Sequence, residues 1–331
     1  MNLPSRRSLL ALATTAAVPA LLPKGVRAQP AIPDRGIRVV VGFGTGTGVD
    51  LTARLIAPQL ERRTGRRFIV ENKTGEAGAI VGEILKNGPD DGSTLAVIPG
   101  MTIAAKLTFK SYPFDPLVDL APIAMIGTVP LAVAVSPKLG LASFADYVAT
   151  LRGGAAESLR LGCTVQSDAF VKVYTKMVNG AFGANMTLLP YRTAAALVSD
   201  LELGRIPAAI SSLTTLLSAH RGNKVQIVLL SGEKRAPVAP KLPTAADLGL
   251  KGLEMREWCA LFTGAKAPPA TVEAWNHHLR NLLEDPGLRG QLRQLGLDVQ
   301  SSTPEEAREE VVNTLQEWKA RMDALGVASA N

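Results

Sequence analysis

Four glycines alternate with other residues in the segment Val41-Gly-Phe-Gly-Thr-Gly-Thr-Gly-Val-Asp50. The preceding run, residues 37–41, is rich in β-branched residues and is typical of a strand buried on both faces of a parallel sheet. The glycines end that strand, because β-branched residues do not tolerate the positive φ angles of a tight loop. An amphipathic helix follows, with Asp50 in its first turn.

A glycine loop at a helix N-terminus directs backbone N–H groups at one space, where they can hold an anionic group. Thr45 and Thr47, which carry hydroxyl groups, alternate in the sequence with Gly46 and Gly48, which offer their backbone N–H groups. We therefore predict an anion site here. A tight turn without a ligand, with Asp50 acting as a helix cap, is the alternative that the sequence leaves open.

Nucleotide-binding loops do not fit this spacing. A dinucleotide fingerprint needs Gly-x-Gly-x-x-Gly, but Val49 stands where the third glycine belongs. A phosphate loop of the Walker type needs Gly-Lys-Ser/Thr, and no lysine lies between Lys24 and Lys73.

Residues 1–28 are interpreted as a signal peptide. Arg6 and Arg7 precede an apolar run at 9–22, and Val26-Arg27-Ala28 offers a cleavage site. The pattern fits a twin-arginine signal and an ordinary secretory signal equally well. The apolar run is shorter than the roughly 20 residues that span a bilayer. We therefore expect an exported protein in the periplasm without a permanent membrane anchor.

The basic character of the chain comes largely from this segment. Removing its four basic residues lowers the formal net charge from +7 to +3, so no nucleic-acid partner is indicated. Cys163 and Cys259 are 96 positions apart and are predicted to be separate thiols, although a disulfide is the alternative in an oxidising compartment. The three histidines form no metal-binding pattern, and we predict neither a metal nor a cofactor.

Strand and helix patterns alternate along the chain with short loops, which predicts an α/β fold with parallel strands. The chain is long enough for two domains. Extended segments are predicted at 121–125 and 131–135 on either side of Pro130. Residues 99–102 are predicted to form a loop before a helix. Three further helical stretches are predicted between Thr271 and Leu325.

A set of short motifs in a fixed order resembles the Bug substrate-binding proteins of tripartite tricarboxylate transporters, over nearly all of the chain after residue 28. The motifs include Val41–Asp50 with Ala53-Arg54, Val70-Glu-Asn-Lys-Thr-Gly75, Asp91-Gly92-Ser-Thr-Leu95, Tyr112-Pro-Phe-Asp115, Pro190-Tyr191, Asp200-Leu201, Pro243-Thr244 and Pro268-Pro269. The family loop is usually Pro-Phe-x-x-Gly-Gly-x-x-Asp, so this chain lacks the proline and one glycine and gains two threonines.

The resemblance implies a two-lobed periplasmic-binding-protein fold of type II, with a ligand cleft between lobes joined by two crossing strands. We expect residues 29–130 and 241–331 to form lobe 1 and residues 131–240 to form lobe 2, with hinges at 128–130 and near 240–243. Such a receptor is not an enzyme. It is expected to be a monomer that binds a small organic carboxylate and delivers it to membrane transporter subunits.

The predicted ligand-binding residues combine the glycine loop with loops at the ends of other strands, where α/β sheets place their sites. They are Phe43, Thr45, Gly46, Thr47, Gly48, Asp50, Met101, Thr102, Cys163, Thr164, Gln166, Ser167, Thr193 and Ser211. Because Arg192 is the single arginine in these loops, we expect backbone N–H groups and hydroxyls to hold the ligand carboxylate. Direct pairing with Arg192 is the alternative.

Two other functions share part of this pattern. An exported oxidoreductase would use a twin-arginine signal, and Glu71 lies about 20 residues beyond the loop, where a ribose-binding acid is found in dinucleotide-binding folds. A receptor that feeds a sensor kinase would share every residue named above and differ only in its partner.

Overall fold

The computed structural model describes residues 32–153, 159–164, 169–250 and 253–327, so the predicted signal peptide lies outside the described residues. The strands are β1 (Ile37–Val41), β2 (Phe68–Asn72), β3 (Thr94–Pro99), β4 (Leu120–Val135), β5 (Arg160–Cys163), β6 (Thr187–Pro190), β7 (Ala208–Ser212), β8 (Gln226–Leu230), β9 (Arg256–Gly264) and β10 (Asp298–Val299). The helices are α1 (Gly48–Thr64), α2 (Ala79–Lys86), α3 (Gly100–Ala105), α4 (Phe144–Gly153), α5 (Ala169–Phe182), α6 (Ala194–Glu202), α7 (Leu213–Arg221), α8 (Pro269–Leu283), α9 (Pro286–Gln294) and α10 (Pro304–Ala324).

The first part of the chain builds a mostly parallel sheet. β1 lies between β2 and β3 and is parallel to both, as expected for strands joined by helices. β9 is antiparallel to β3 on one side and to β4 on the other. The strand order in this part is therefore β2-β1-β3-β9-β4, with β10 also paired to β4. We call these strands, with residues 120–130 of β4, the first sheet half.

β4 is 16 residues long, which allows it to pair with strands in both parts of the sheet. Its residues 131–135 lie between β7 and β8, and β5 and β6 continue in parallel beyond β7. We call these strands the second sheet half. The chain returns beside β4, where Arg256 of β9 pairs with Pro130. This arrangement confirms the predicted two-lobed type II α/β architecture.

Four features differ from the element pattern predicted above. The two extended segments around Pro130 are one strand, since Pro130 lies where the partner of β4 changes and its missing N–H costs the ladder little. Helix α3 begins directly after β3, without the predicted loop at 99–102. The sequence pattern did not indicate α7 or the two-residue strand β10.

The apolar core extends across both sheet halves. One buried cluster joins Val39 and Ile56 with Leu197 and Leu213, which follow strands of the second half. Asn276 ties α8 to the first half, because its amide donates to the carbonyls of Ile123 (2.7 Å) and Ser302 (2.9 Å). The buried core thus holds the two halves in the contact described below.

Several sequence expectations concern groups elsewhere in the fold. Cys163 and Cys259 are both buried and are not joined to each other in a disulfide, as predicted. Within the described residues, no group of three His, Cys, Asp or Glu side chains is arranged to hold a metal ion. No described helix combines the length and apolar composition needed to cross a membrane.

Candidate functional site

The glycine loop lies between buried β1 and the N-terminus of α1, and Asp50 organises it. The Asp50 carboxylate is fully buried and accepts hydrogen bonds from Gly46 N–H (2.9 Å), Asn72 Nδ2 (2.8 Å) and Arg54 Nε (3.0 Å). The Asn72 amide also donates to the carbonyl of Phe43 (3.0 Å). Burial would raise the pKa of Asp50, but the hydrogen bonds from Arg54, Gly46 and Asn72 outweigh it and lower that pKa.

A second helix begins opposite this loop. Ser212 is the N-cap of α7, and its Oγ accepts a hydrogen bond from Thr215 N–H (3.3 Å). The Thr215 hydroxyl is hydrogen-bonded to Ser212 Oγ (2.9 Å) and accepts a hydrogen bond from Gly48 N–H (3.2 Å). The first turns of α1 and α7 therefore face each other, so the positive ends of two helix dipoles converge.

The loop touches the second sheet half closely at two glycines. A Cβ atom on Gly44 would lie 2.6 Å from the backbone oxygen of Arg192, and one on Gly48 would lie 2.9 Å from Thr214 Cβ. Such distances are shorter than van der Waals contact, so side chains at these positions would push the two halves apart.

A cavity of about 50 Å³ lies between these walls. Hydroxyl groups and apolar side chains dominate its surface. Its lining residues are Phe43, Thr47, Gly48, Val49, Thr52, Pro99, Met101, Val129, Leu131, Thr164, Ile210, Ser211, Ser212, Thr214, Thr215, Glu257, Trp258, Cys259 and Leu297. This volume has room for only a few water molecules. A ligand with several carbon atoms therefore enters only when the walls separate.

Thr214, in the first turn of α7, is the clearest polar feature of this cavity. Its side chain is buried, and its Oγ1 has no hydrogen-bond partner among the described residues. A buried hydroxyl left without a partner costs about 1–3 kcal/mol. Native structures seldom carry such a group, and one that faces a cavity indicates a position where a ligand or water atom binds.

Glu257 contributes a carboxylate to the same cavity. It lies on β9, is 4% exposed, and accepts hydrogen bonds from Met101 N–H with both oxygens (3.1 Å each) and from Trp258 N–H (3.0 Å). Burial and the nearby charge of Glu257 together raise the pKa of the Cys259 thiol to about 12. Cys259 is therefore an uncharged apolar part of the cavity wall.

The cavity brings together six of the residues predicted from the sequence: Phe43, Thr47, Gly48, Met101, Thr164 and Ser211. The other described members of the predicted set do not line it. Gln166 and Ser167 lie outside the described residues. Gly46 N–H donates a hydrogen bond to the Asp50 carboxylate, and Thr45 is exposed.

Three other predicted residues lie in the described part of the chain but do not line the cavity. Thr102 donates its hydroxyl to the carbonyl of Ala77 (2.8 Å), and Thr193 is the exposed N-cap of α6. Cys163 is fully buried at the end of β5. Glu71, the acid considered for a ribose, forms a two-point ion pair with Arg38 (2.9 and 3.1 Å).

The sequence interpretation missed the α7 side of the site. Its signal is visible in retrospect, because Ser212 precedes apolar residues at positions 213, 216 and 217, the pattern of a capped amphipathic helix. Glu257 carries no comparable signal, since a single acid in an apolar run is ordinary in a strand that reaches the surface.

A second cavity, of about 870 Å³, adjoins the first behind the junction of β4 and β9. It shares Val129, Glu257, Trp258 and Leu297 with the smaller cavity, and none of the predicted ligand-binding residues line it. The smaller cavity is therefore the candidate site.

Comparisons with known proteins agree with this architecture. Residues 52–327 match the family described as the tripartite tricarboxylate transporter family receptor, TctC. BugT of Bordetella pertussis is 26% identical over 288 residues, which are 86% of this chain and 88% of BugT.

Two solved structures are similar over nearly all of the described residues. Rpa4515 of R. palustris, solved with adipate, has a TM-score of 0.84 and 26% sequence identity, covering 89% of this chain and 99% of that chain. The periplasmic binding protein BugD has a TM-score of 0.83 at 23% identity, with the same coverage, and supports the fold. Because the family match spans most of the sequence and the fold agrees, this chain belongs to the TctC, or Bug, family of tripartite tricarboxylate transporter receptors.

Proposed function

We propose that this protein is a periplasmic, non-enzymatic solute receptor that binds a small carboxylate between its sheet halves and delivers it to a tripartite tricarboxylate transporter. Family membership supports the role as a transport receptor. The relative solved with adipate is 26% identical to this chain, which supports a carboxylate as the ligand.

The observation that carries the proposal is the hydroxyl of Thr214, in the first turn of α7 and opposite the N-terminus of α1, which has no hydrogen-bond partner in the described part of the chain. First-turn N–H groups have no acceptor within their own helix, and they stabilise an anion together with nearby hydroxyls. Thr47 and Ser211 add two further hydroxyls to the lining. Each hydrogen bond to an ionised group contributes about 1.5–3 kcal/mol, so three or four are enough for micromolar binding after the cost of immobilising the ligand.

No lysine or arginine belongs to the described lining of the cavity. Arg192 is exposed and approaches the glycine loop through its backbone oxygen. These facts favour recognition by N–H groups and hydroxyls over pairing with Arg192. We propose the cavity-lining members of the predicted set as ligand contacts. Asp50 acts on the ligand indirectly, by holding the loop.

Ligand entry requires the two halves to separate, and we propose a hinge motion at 128–130, where β4 changes partners. The predicted division into lobes at 130/131 and 240/241 stays a prediction. The first boundary is supported by the change of partner at Pro130. Near the second, Thr244 still pairs with Leu230 of the second half, and Met255 N–H donates to the carbonyl of Ser231 (2.8 Å).

The proposal is tested by identifying the ligand and removing one hydroxyl. Mass spectrometry identifies what co-purifies with the periplasmic protein, and calorimetry measures binding of succinate, glutarate, adipate and their monoamides. Thr214→Val keeps the shape of the side chain and should weaken binding roughly 10- to 100-fold, the value of a hydrogen bond to a charged group. Its thermal stability should be unchanged or higher, because an unsatisfied buried hydroxyl is removed.

Thr94→Val is the matched control. Thr94 Oγ1 is also buried without a described partner, but Thr94 does not line the cavity. This variant should bind like the wild type. Wild-type affinity in Thr214→Val, or an absence of binding to every carboxylate in the panel, contradicts the proposed function.

A further inference from the structure

The N-terminus of α3 reaches the cavity, but its N–H is already engaged by a carboxylate of the protein itself. Met101 N–H donates to both Oε1 and Oε2 of Glu257 at 3.1 Å. The fit is close, because a Cβ atom on Gly100 would lie 2.8 Å from Glu257 Oε1. A second ligand carboxylate therefore cannot take this position without displacing Glu257.

Among the described residues that line the cavity, the side-chain charge is negative and lies at Glu257. Glu257 is the single charged side chain among its described lining residues, and it is 4% exposed. The α1 and α7 N-termini lie against this cavity through Gly48, Thr214 and Thr215. The cavity thus has a part suited to an anion and a part that already bears negative charge.

We propose that Glu257 determines the charge of the ligand, so that the receptor selects monocarboxylates with a neutral or hydrogen-bond-donating far end over dicarboxylates of equal length. This inference rests on the proposed function and narrows its ligand class. A ligand carboxylate held by α1 and α7 satisfies the N–H groups there. An amide, hydroxyl or ammonium at the other end can donate to Glu257.

The physical reason is the weak screening inside a buried site. Two like charges a few ångströms apart repel strongly when little water separates them. In an interface, placing like charges together costs enough to change affinity by roughly 100-fold. An amide in place of the second carboxylate removes that repulsion and adds two N–H donors without changing the length of the ligand.

The test compares each diacid with its own monoamide: succinate with succinamate, glutarate with glutaramate, and adipate with adipamate. Calorimetry at pH 7.5 should give tighter binding of the wild type to the monoamide that fits best than to its diacid, by roughly 10- to 100-fold. In Glu257→Gln this ratio should fall about tenfold or more, because the substitution removes the negative charge that repels the second carboxylate. The glutamine oxygen can still accept a hydrogen bond from Met101 N–H, so the local structure is kept.

Glu254→Gln is the control with the same change in net charge. Glu254 is three residues away and does not line the smaller cavity, so this variant should keep the wild-type ratio. Thermal melting checks that both variants fold. If Glu257→Gln does not fold, the wild-type ratio alone still decides between the two ligand classes.

Tighter binding of the diacids by the wild type overturns the inference and leaves the proposed function intact. An unchanged ratio in Glu257→Gln also overturns it, because the selection then comes from another residue. The absence of binding to all six compounds contradicts the proposed function itself, and the inference with it.

Discussion

Asp50 shows how one buried acid can organise the glycine loop at the start of a helix. Its two oxygens join the loop at Gly46, the neighbouring strand at Asn72 and its own helix at Arg54. Because the carboxylate is buried and accepts three hydrogen bonds, it contributes more to the free energy of unfolding than an ordinary surface acid does.

Asp50→Asn should lower the free energy of unfolding by about 2 kcal/mol at pH 7, since an amide cannot accept all three bonds. The lowered pKa of Asp50 sets the pH dependence. Its contribution is complete above the ordinary pKa of about 4 and is lost as the pH falls through the lower folded-state value. Urea unfolding should therefore show a constant difference between wild type and variant from about pH 5 to 8, shrinking at lower pH.

The control for this prediction is Asp323→Asn, which breaks an exposed pair with Lys319 (2.9 Å). Exposed pairs of this spacing contribute about 0.3–0.5 kcal/mol. If the two variants are equally stable, the hydrogen bonds of Asp50 do not stabilise the loop.

At the level of elements, the two helices that meet at the cavity begin differently. Thr47 precedes α1 but donates its hydroxyl to the carbonyl of Gly44 (2.8 Å), so no side chain caps α1. Ser212 does cap α7, and through Thr215 it also fixes the acceptor of Gly48 N–H. The cap of α7 therefore has two effects, one on helix stability and one on contact between the sheet halves.

Ser212→Ala should lower stability by about 1 kcal/mol, the usual value of an N-cap, and should also weaken ligand binding several-fold. The matched change is Thr303→Ala at the N-cap of α10, where Thr303 Oγ1 accepts a hydrogen bond from Glu306 N–H (3.1 Å). That variant should lose similar stability with unchanged affinity. Chemical unfolding and calorimetry on both proteins separate the effects, and equal affinities for the two variants argue against a role of the α7 N-terminus in binding.

At the level of the whole molecule, the contact between the two halves leaves no space for a side chain at Gly44. The atoms nearest to a Cβ on Gly44 all belong to Arg192 and Thr193, in the opposite half. Gly44 does not have a positive φ, so alanine fits its backbone. A side chain here should therefore interfere with closure and leave each half intact.

Gly44→Ala should fold normally, bind ligand about tenfold or more weakly, and remain extended when ligand is added. Small-angle scattering of the wild type should give a smaller radius of gyration at saturating ligand, whereas the variant should keep its unliganded value. Gly290→Ala in α9 is the control, because a Cβ there meets no atom within 4 Å. A ligand-induced decrease in the variant equal to that of the wild type would falsify this account of closure.

The sequence alone determined the features that depend on neighbouring residues. The β-branched run, the glycines and Asp50 specify β1, its loop and α1, because burial, backbone freedom and short-range hydrogen bonds act over a few positions. The alternating pattern likewise determined the parallel strands, and the ordered motifs indicated the family. Even here the reason for the glycines was partly wrong. Of the four that alternate, Gly46 alone has a positive φ, and Gly44 and Gly48 are needed for close contact with the other half.

Only the tertiary structure decided which distant residues share the cavity. Gly48 meets Thr215 across 167 positions of sequence, and Met101 meets Glu257 across 156. These contacts depend on the strand order β2-β1-β3-β9-β4 and on the passage of β4 from one half to the other. No local pattern encodes that order, because it results from non-local strand pairing and from burial shared by the whole core. The hydroxyl of Thr214, which has no hydrogen-bond partner among the described residues, and the carboxylate of Glu257 became candidate determinants of binding only once the fold had placed them in one cavity.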